Sequence, residues 1–279
     1  MQIASGRPET RIALIDGPVA TNHSELSTTK IHEVSGAIGG TCERASSIAC
    51  MHGTFVAGIL SAKRGSVAPA ICPGCTLMIR PIFAETSSAN GQMPNATPEE
   101  LALAILDCIN ADAHVINLSA ALANPTATGE RRLQEVLDYS AKRGVLVVAA
   151  AGNQGEVGSS AITRHAWVIP VIASDLHGRP IGYSNIGCSI GRRGLSAPGE
   201  GITSLSVNGQ PRTFGGTSAA APLVTGTIAL LLSTFPNTTA AAVKLAITTA
   251  SGTRRTTVVP PLLNAWAAYE SLLTTHSKR

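Results

Sequence analysis

Three polar residues stand in apolar or glycine-rich settings: Asp16, His52 and Ser218. Asp16 ends the run Ala13-Leu14-Ile15-Asp16-Gly17. His52 opens His52-Gly53-Thr54-Phe55-Val56-Ala57-Gly58. Ser218 lies in Gly215-Gly216-Thr217-Ser218-Ala219-Ala220-Ala221-Pro222. A serine hydroxyl is a poor nucleophile at neutral pH and needs a base within hydrogen-bond reach. His52 can take the proton and return it to a leaving amine, while Asp16 holds the imidazole tautomer and stabilises the imidazolium. That chemistry is acyl transfer through a tetrahedral intermediate, whose oxyanion needs donors fixed in advance. Asn153, in Ala150-Ala151-Gly152-Asn153, offers a side-chain amide, and Ser218 offers its own backbone N–H at a helix start. Activity should then rise with pH as the imidazole loses its proton, near its ordinary pKa of about 6.5. The competing readings are three unrelated polar residues, or a catalytically silent peptide-binding domain that keeps the residue types. Asn153 alone reads as a turn residue after a strand, and its Ala-Gly-Asn setting lifts the donor role above that reading.

Alternating elements must position these groups. Arg11–Ile15, Leu77–Phe83, Val115–Leu118, Val145–Ala150 and Trp167–Ala173 read as strands. His52–Ser61 reads as a short helix. Thr97 caps a helix from Pro98 to about Asn110, with Glu100 as the reciprocal partner of a capping box. Glu130–Arg143 is amphipathic and stops at Gly144. Thr217 to about Thr234 is long and uncharged, so it should run inside the protein. Leu245 and Ile247 sit on the following helix. Strands apolar on both faces, alternating with helices, predict an α/β fold: a doubly wound, mostly parallel sheet with helices on both faces. Sites in such sheets form at the carboxyl ends of strands, where Asp16 and the Ala151-Gly152-Asn153 segment both fall.

The 279 residues suit one catalytic domain, 1–279, and 44% apolar residues can fill its core. The net charge of +4 is mild, and no Lys/Arg run exceeds two residues, so there is no nucleic-acid footprint. Apolar runs such as Ile228 to Leu232 are too short to span a bilayer. Met1 to Thr10 has no apolar signal-peptide core, and Asp16 lies too near Met1 for a folded pro-domain. The expectation is a monomeric, cytoplasmic chain working without a pro-segment, or else an excised domain.

The order Asp, His, Ser is the subtilisin order. With Ile15-Asp16-Gly17, His52-Gly53-Thr54, Ala150-Ala151-Gly152-Asn153 and Gly216-Thr217-Ser218-Ala219, the chain resembles the subtilisin-family serine proteases, the subtilases. Lesser matches are Ser196-Ala197-Pro198-Gly199 and Pro222. The resemblance runs from about residue 11 to about residue 250. It implies a subtilisin-like fold and an endopeptidase that works through an acyl-enzyme, with Asp16, His52 and Ser218 catalytic and Asn153 in the oxyanion hole. Substrate would lie against Ser119, Ala120, Ala151 and Gly152. No cofactor is implied, and the partner is a peptide or protein substrate.

A finer resemblance is to the subtilases that process cyanobactin precursor peptides. It rests on Asp16-Gly17-Pro18-Val19 with His23-Ser24-Glu25-Leu26, and on the path from Ala70-Ile71-Cys72 into Pro81-Ile82-Phe83. Those relatives remove a leader or follower from a ribosomally made peptide, and some close it into a ring. Ring-forming members carry a helical insertion between the Asp and His motifs. Here His52 follows Asp16 by only 36 positions, which implies cleavage without cyclisation.

Two departures stand out. Phe55 occupies the place of a second, non-catalytic histidine, which affects local packing. Where subtilases carry a Ser-x-Gly-like substrate strand, this chain reads Asn117-Leu118-Ser119-Ala120-Ala121-Leu122. Either the extra methyls narrow the pocket beside the scissile bond, or that element is offset from this stretch.

Six cysteines (Cys42, Cys50, Cys72, Cys75, Cys108, Cys188) would stay reduced in a cytosol and could pair outside it. Cys72-Pro73-Gly74-Cys75 precedes a strand rather than opening a helix, which disfavours redox catalysis. The pair is a loop staple, free thiols, or half of a four-cysteine zinc site with Cys42 and Cys50. His23, His32, His114, His165, His177 and His276 are expected on the surface or in loops. No acidic cluster suggests a calcium cage, so no metal is expected.

Overall fold

A computed structural model describes residues 4–85, 96–119, 127–250 and 257–277. Its strands are β1 (Arg11–Asp16), β2 (Lys30–Glu33), β3 (Thr76–Pro81), β4 (Val115–Leu118), β5 (Leu146–Ala150), β6 (Val168–Ser174) and β7 (Leu195–Pro198). They form one sheet, ordered β2-β3-β1-β4-β5-β6-β7, and each neighbouring pair is parallel. β8 (Ile202–Ser204) and β9 (Arg212–Phe214) make a separate antiparallel pair.

The two-residue side-chain period splits the core across the sheet. Ile12 and Leu14 of β1 join one apolar cluster, with Leu77, Val148 and Val171; Ala13 and Ile15 join the other, with Met78, Ile116 and Val147. The first cluster takes α1 (Ile48–Ser61), α6 (Thr217–Thr234) and α7 (Ala240–Thr249); the second takes α2 (Pro98–Asn110) and α3 (Ala127–Arg143). α4 (Ala161–Arg164) and α5 (Cys188–Arg193) are short, and α8 (Ala265–His276) packs against α7. The expected parallel sheet, covered on both faces, is what the strands build.

Thr97 and Glu100 form the expected capping box, with the Glu100 N–H on Thr97 Oγ1 at 3.2 Å and the Thr97 N–H on Glu100 Oε2 at 2.8 Å. α6 is uncharged and packs on α1 and on five strands of the sheet. Its 18 residues, mean hydropathy 1.4, would be long and apolar enough to cross a membrane, yet most are buried as the core helix.

Cys42 and Cys50 form a disulfide, with Cα atoms 5.5 Å apart. Cys72, Cys75 and Cys108 are buried thiols and Cys188 is exposed. The four-cysteine zinc set is therefore not assembled, since two of its thiols are already joined to each other. His165 lies in the loop between α4 and β6, within the expectation, and is buried there, with Nε2 3.1 Å from Asp138 Oδ1.

Candidate active site

β1 delivers Asp16 to the carboxyl edge of the sheet, fully buried. Its backbone is fixed there by the Ile82 N–H, which donates to the Asp16 carbonyl at 2.9 Å. Its Oδ1 accepts from the Gly17 N–H at 2.7 Å and lies 2.7 Å from His52 Nδ1. With Nδ1–H turned to the carboxylate, Nε2 is left as the basic nitrogen. Burial is the largest influence on His52 and opposes its protonation. The charge and hydrogen bond of Asp16 together outweigh it, and the pKa is raised from 6.5.

The approach of α1 to the end of β1 depends on a missing side chain. A Cβ on Gly53 would stand 2.4 Å from the Gly17 carbonyl oxygen and 2.6 Å from that of Pro18. Thr54 Oγ1 then accepts from the Ala20 N–H at 2.9 Å and fixes the loop after Asp16 against the helix. The Cys42–Cys50 bridge ends two residues before His52 and ties the segment between β2 and α1 to the first turn of α1.

Ser218 is the second residue of α6, half-buried, after an N-cap at Gly216 with φ 111°. At that position its N–H has no acceptor within the helix. Pro222, four residues on, lacks the N–H that would bond the Ser218 carbonyl. Asn153 is exposed beside this turn. Its Oδ1 accepts from the Thr217 N–H at 2.9 Å and from Thr217 Oγ1 at 3.1 Å, which leaves the amide N–H groups for another partner. The Gly152 N–H donates to Thr217 Oγ1 at 3.2 Å. Asp16 and His52 are thus joined, and so are Asn153 and the residue before Ser218. Ser218 and His52 are not joined by a hydrogen bond here, a contact that in such sites often tightens only around substrate.

The expected substrate-lining residues fare differently. Ser119 is buried, its hydroxyl accepting from Asn117 Nδ2 at 2.9 Å. Ala151 and Gly152 spend their backbone groups inside the protein: Ala151 N–H on the Val171 carbonyl, and Gly152 carbonyl on the Asn185 N–H, both at 2.9 Å. Ala120 lies outside the described residues, as do Ala121 and Leu122. Sequence reasoning missed Thr217 as the partner of Asn153, although Thr217 lies inside the motif it quoted.

The model of the subtilase family matches residues 7–265. The chain belongs to the subtilase family. Among curated subtilases, it is similar to a thermostable alkaline protease of Halalkalibacterium halodurans, 31% identical over 67% of this chain and 48% of the relative. It is similar to subtilisin NAT of Bacillus subtilis subsp. natto, 28% identical over 84% of this chain and 58% of the relative. The chain therefore spans about half to three fifths of the length of these relatives. Among solved structures, a mutant of the PatA protease domain superposes with a TM-score of 0.88 at 28% identity, covering 99% of both chains. The prenylagaramide maturation protease PagA gives 0.82 at 28%, covering 96% of this subtilase and 95% of PagA. The PatG macrocyclase domain, at 21% identity and 0.80 over 97% of this chain and 93% of that domain, shares the fold.

Proposed function

We propose that this subtilase is a serine endopeptidase in which Ser218 is the nucleophile, His52 the general base and acid, and Asp16 the group that orients His52. The observation that carries the reading is the 2.7 Å contact between a fully buried Asp16 and His52 Nδ1. Ser218 Oγ attacks the peptide carbonyl and its proton passes to His52 Nε2. The oxyanion is met by the Asn153 amide and the Ser218 N–H. His52 then protonates the departing amine, leaving an acyl ester on Ser218. Water, deprotonated by His52, attacks that ester; His52 returns the proton to Ser218 Oγ as the acyl–oxygen bond breaks and the carboxylate is freed. No step calls for a cofactor. A fluorophosphonate probe tests the assignment, since only an activated serine is labelled. Labelling should map to Ser218 and vanish in Ser218→Ala; persistent labelling at another serine, or none in the native chain, sinks it, the latter favouring a silent binding domain.

A more specific reading is a dedicated maturation protease that removes a leader or follower from a ribosomally made peptide. The likeness to PatA and PagA over nearly the whole of each chain favours it. In that setting one monomeric catalytic domain acts on its precursor, and the cytoplasmic expectation would require the Cys42–Cys50 bridge to be reduced there. Cleavage of a peptide library, read by mass spectrometry, decides: cuts confined to one sequence context fit maturation, and cuts throughout fit a general degrader.

A further inference from the structure

The segment Asn153–Glu156 is exposed, so apolar burial does not hold the oxyanion donor in place. We infer that Asn185 is the positioning residue of this loop and sets the Asn153 amide where the transition state needs it. The inference rests on the oxyanion role proposed above for Asn153.

Asn185 lies in the segment that follows β6 and folds back beside the end of β5. Its Oδ1 accepts from the Gln154 N–H and from the Glu156 N–H, each at 3.0 Å. Its Nδ2 donates to the Ala151 carbonyl at 3.3 Å and to Gln154 Oε1 at 2.8 Å. Its backbone N–H donates to the Gly152 carbonyl at 2.9 Å. The side chain thus bonds residues on both sides of Asn153, and none of these bonds goes to Asn153 itself. Two acceptor bonds and two donor bonds fill the ordinary capacity of one amide. No other side chain of that size offers both.

The fit depends on Gly152. Its φ is 107°, and a Cβ there would stand 2.4 Å from Asn185 Nδ2. The chain therefore turns through a glycine directly against Asn185, and the next residue, Asn153, reaches Thr217. One end of the donor's geometry is set by Thr217 on its amide oxygen, and the other by Asn185 on its backbone. Backbone bonds from Gly155 to the Tyr183 carbonyl and from Gly158 to the Ile186 carbonyl, both 2.8 Å, continue the seam beyond the reach of the side chain.

Such a donor works because it needs no reorganisation when charge develops. A remote change that displaces a reacting group by about 1 Å can cost about 10²-fold in rate. A merely structural Asn185 would change stability without regard to Asn153. A positioning Asn185 must act through it.

The experiment is a double-mutant cycle on a chromogenic peptide with Asn153→Ala, Asn185→Ala and both, alongside thermal unfolding of each. Asn185→Ala should lower kcat by about 10- to 10²-fold with little change in KM. The double variant should be no slower than Asn153→Ala alone. Asn185→Asp keeps both acceptor bonds and loses the donors, so its kcat should fall between the two; it carries the same cycle if the alanine variant does not fold. Equal fold losses from Asn185→Ala with and without Asn153 would overturn the inference, as would a lowered Tm with kcat unchanged. An unchanged kcat in Asn153→Ala alone would instead sink the oxyanion reading beneath it.

Discussion

Phe55 and Phe214 meet edge to face, with ring centroids 5.0 Å apart and planes inclined at 73°. Phe55 lies one turn after His52, and Phe214 ends the strand that leads into Ser218. The pair therefore joins the helix that carries His52 to the strand that leads into Ser218 through packing. The Phe55 carbonyl also accepts from Ser204 Oγ at 2.7 Å, which ties α1 to β8. At 1% exposure, Phe55 packs as a buried apolar ring at the position where the sequence departs from the family pattern.

Phe55→Ala should cost about 3–5 kcal/mol of stability, from lost burial and the cavity left behind. The edge-to-face contact itself should appear as a coupling of about 0.5–1.5 kcal/mol with Phe214→Ala. Denaturant midpoints of the single and double variants measure both, and strictly additive losses would remove the claim that the two rings communicate.

kcat/KM should rise with pH through an apparent pKa above 6.5, since Asp16 raises His52 and only neutral His52 accepts the serine proton. Stability runs the other way. A histidine whose folded pKa is raised contributes fully below its unfolded pKa and loses that contribution as pH rises through the folded value. The protein gains activity and sheds this stabilisation over one window. Asp16→Asn removes both raising influences and should cost about 10⁴-fold in kcat through the wrong tautomer. A native midpoint that gains on Asp16→Asn as pH rises through that window would contradict the sign.

Gly53→Ala places a methyl within 2.6 Å of two backbone oxygens, so α1 must retreat from the end of β1. The Asp16–His52 contact lengthens, and kcat/KM should fall by about 10²-fold. Kinetics at 25 °C, on protein shown to be folded by circular dichroism, checks this. Native kcat/KM would mean that the approach of the two elements is not set by Gly53.

Released peptides should be linear. Between Asp16 and Ile48 the chain forms a 3₁₀ turn at Ser24–Leu26 and the edge strand β2, with no helix pair to lie over the ester. Water then competes freely with an amine for the acyl group. Mass spectrometry of the product from a leader- or follower-bearing peptide decides: a major species lighter by one water than the linear peptide revives ring closure.

β1, β3, β4, β5 and β6 were legible because apolar runs such as Val147-Val148-Ala149 leave no alternative to burial on both faces, and Asp16 was legible because it ends one; the short strands β7, β8 and β9 were not read. α2 declared itself through Thr97, Pro98 and Glu100. β2 was missed: Lys30, His32 and Glu33 are exposed on a sheet edge, with only Ile31 packed inward, so no alternation marks it. α8 lacks a clean stripe because Trp266 and Leu273 stay exposed. The motifs singled out the candidate site residues one by one, but the partners that orient them come from distant sequence. Nothing near Asn185 announces a contact with a loop some thirty positions earlier, and nothing near Phe214 announces Phe55.

Ser218, the proposed nucleophile, stands on the first turn of the core helix, and that placement bears on how the proposed protease survives its own kind. A chain is cut where it can open into an extended strand, and segments with few buried contacts open at far lower cost than the core. α6 packs on α1 and on five strands, so exposing the peptide bonds around Ser218 requires most of the domain to unfold. Exposed connections such as Asn208–Pro211 open at far lower cost. Self-digestion will enter through such surface segments, and a nicked molecule will keep Ser218 seated until the whole core gives way.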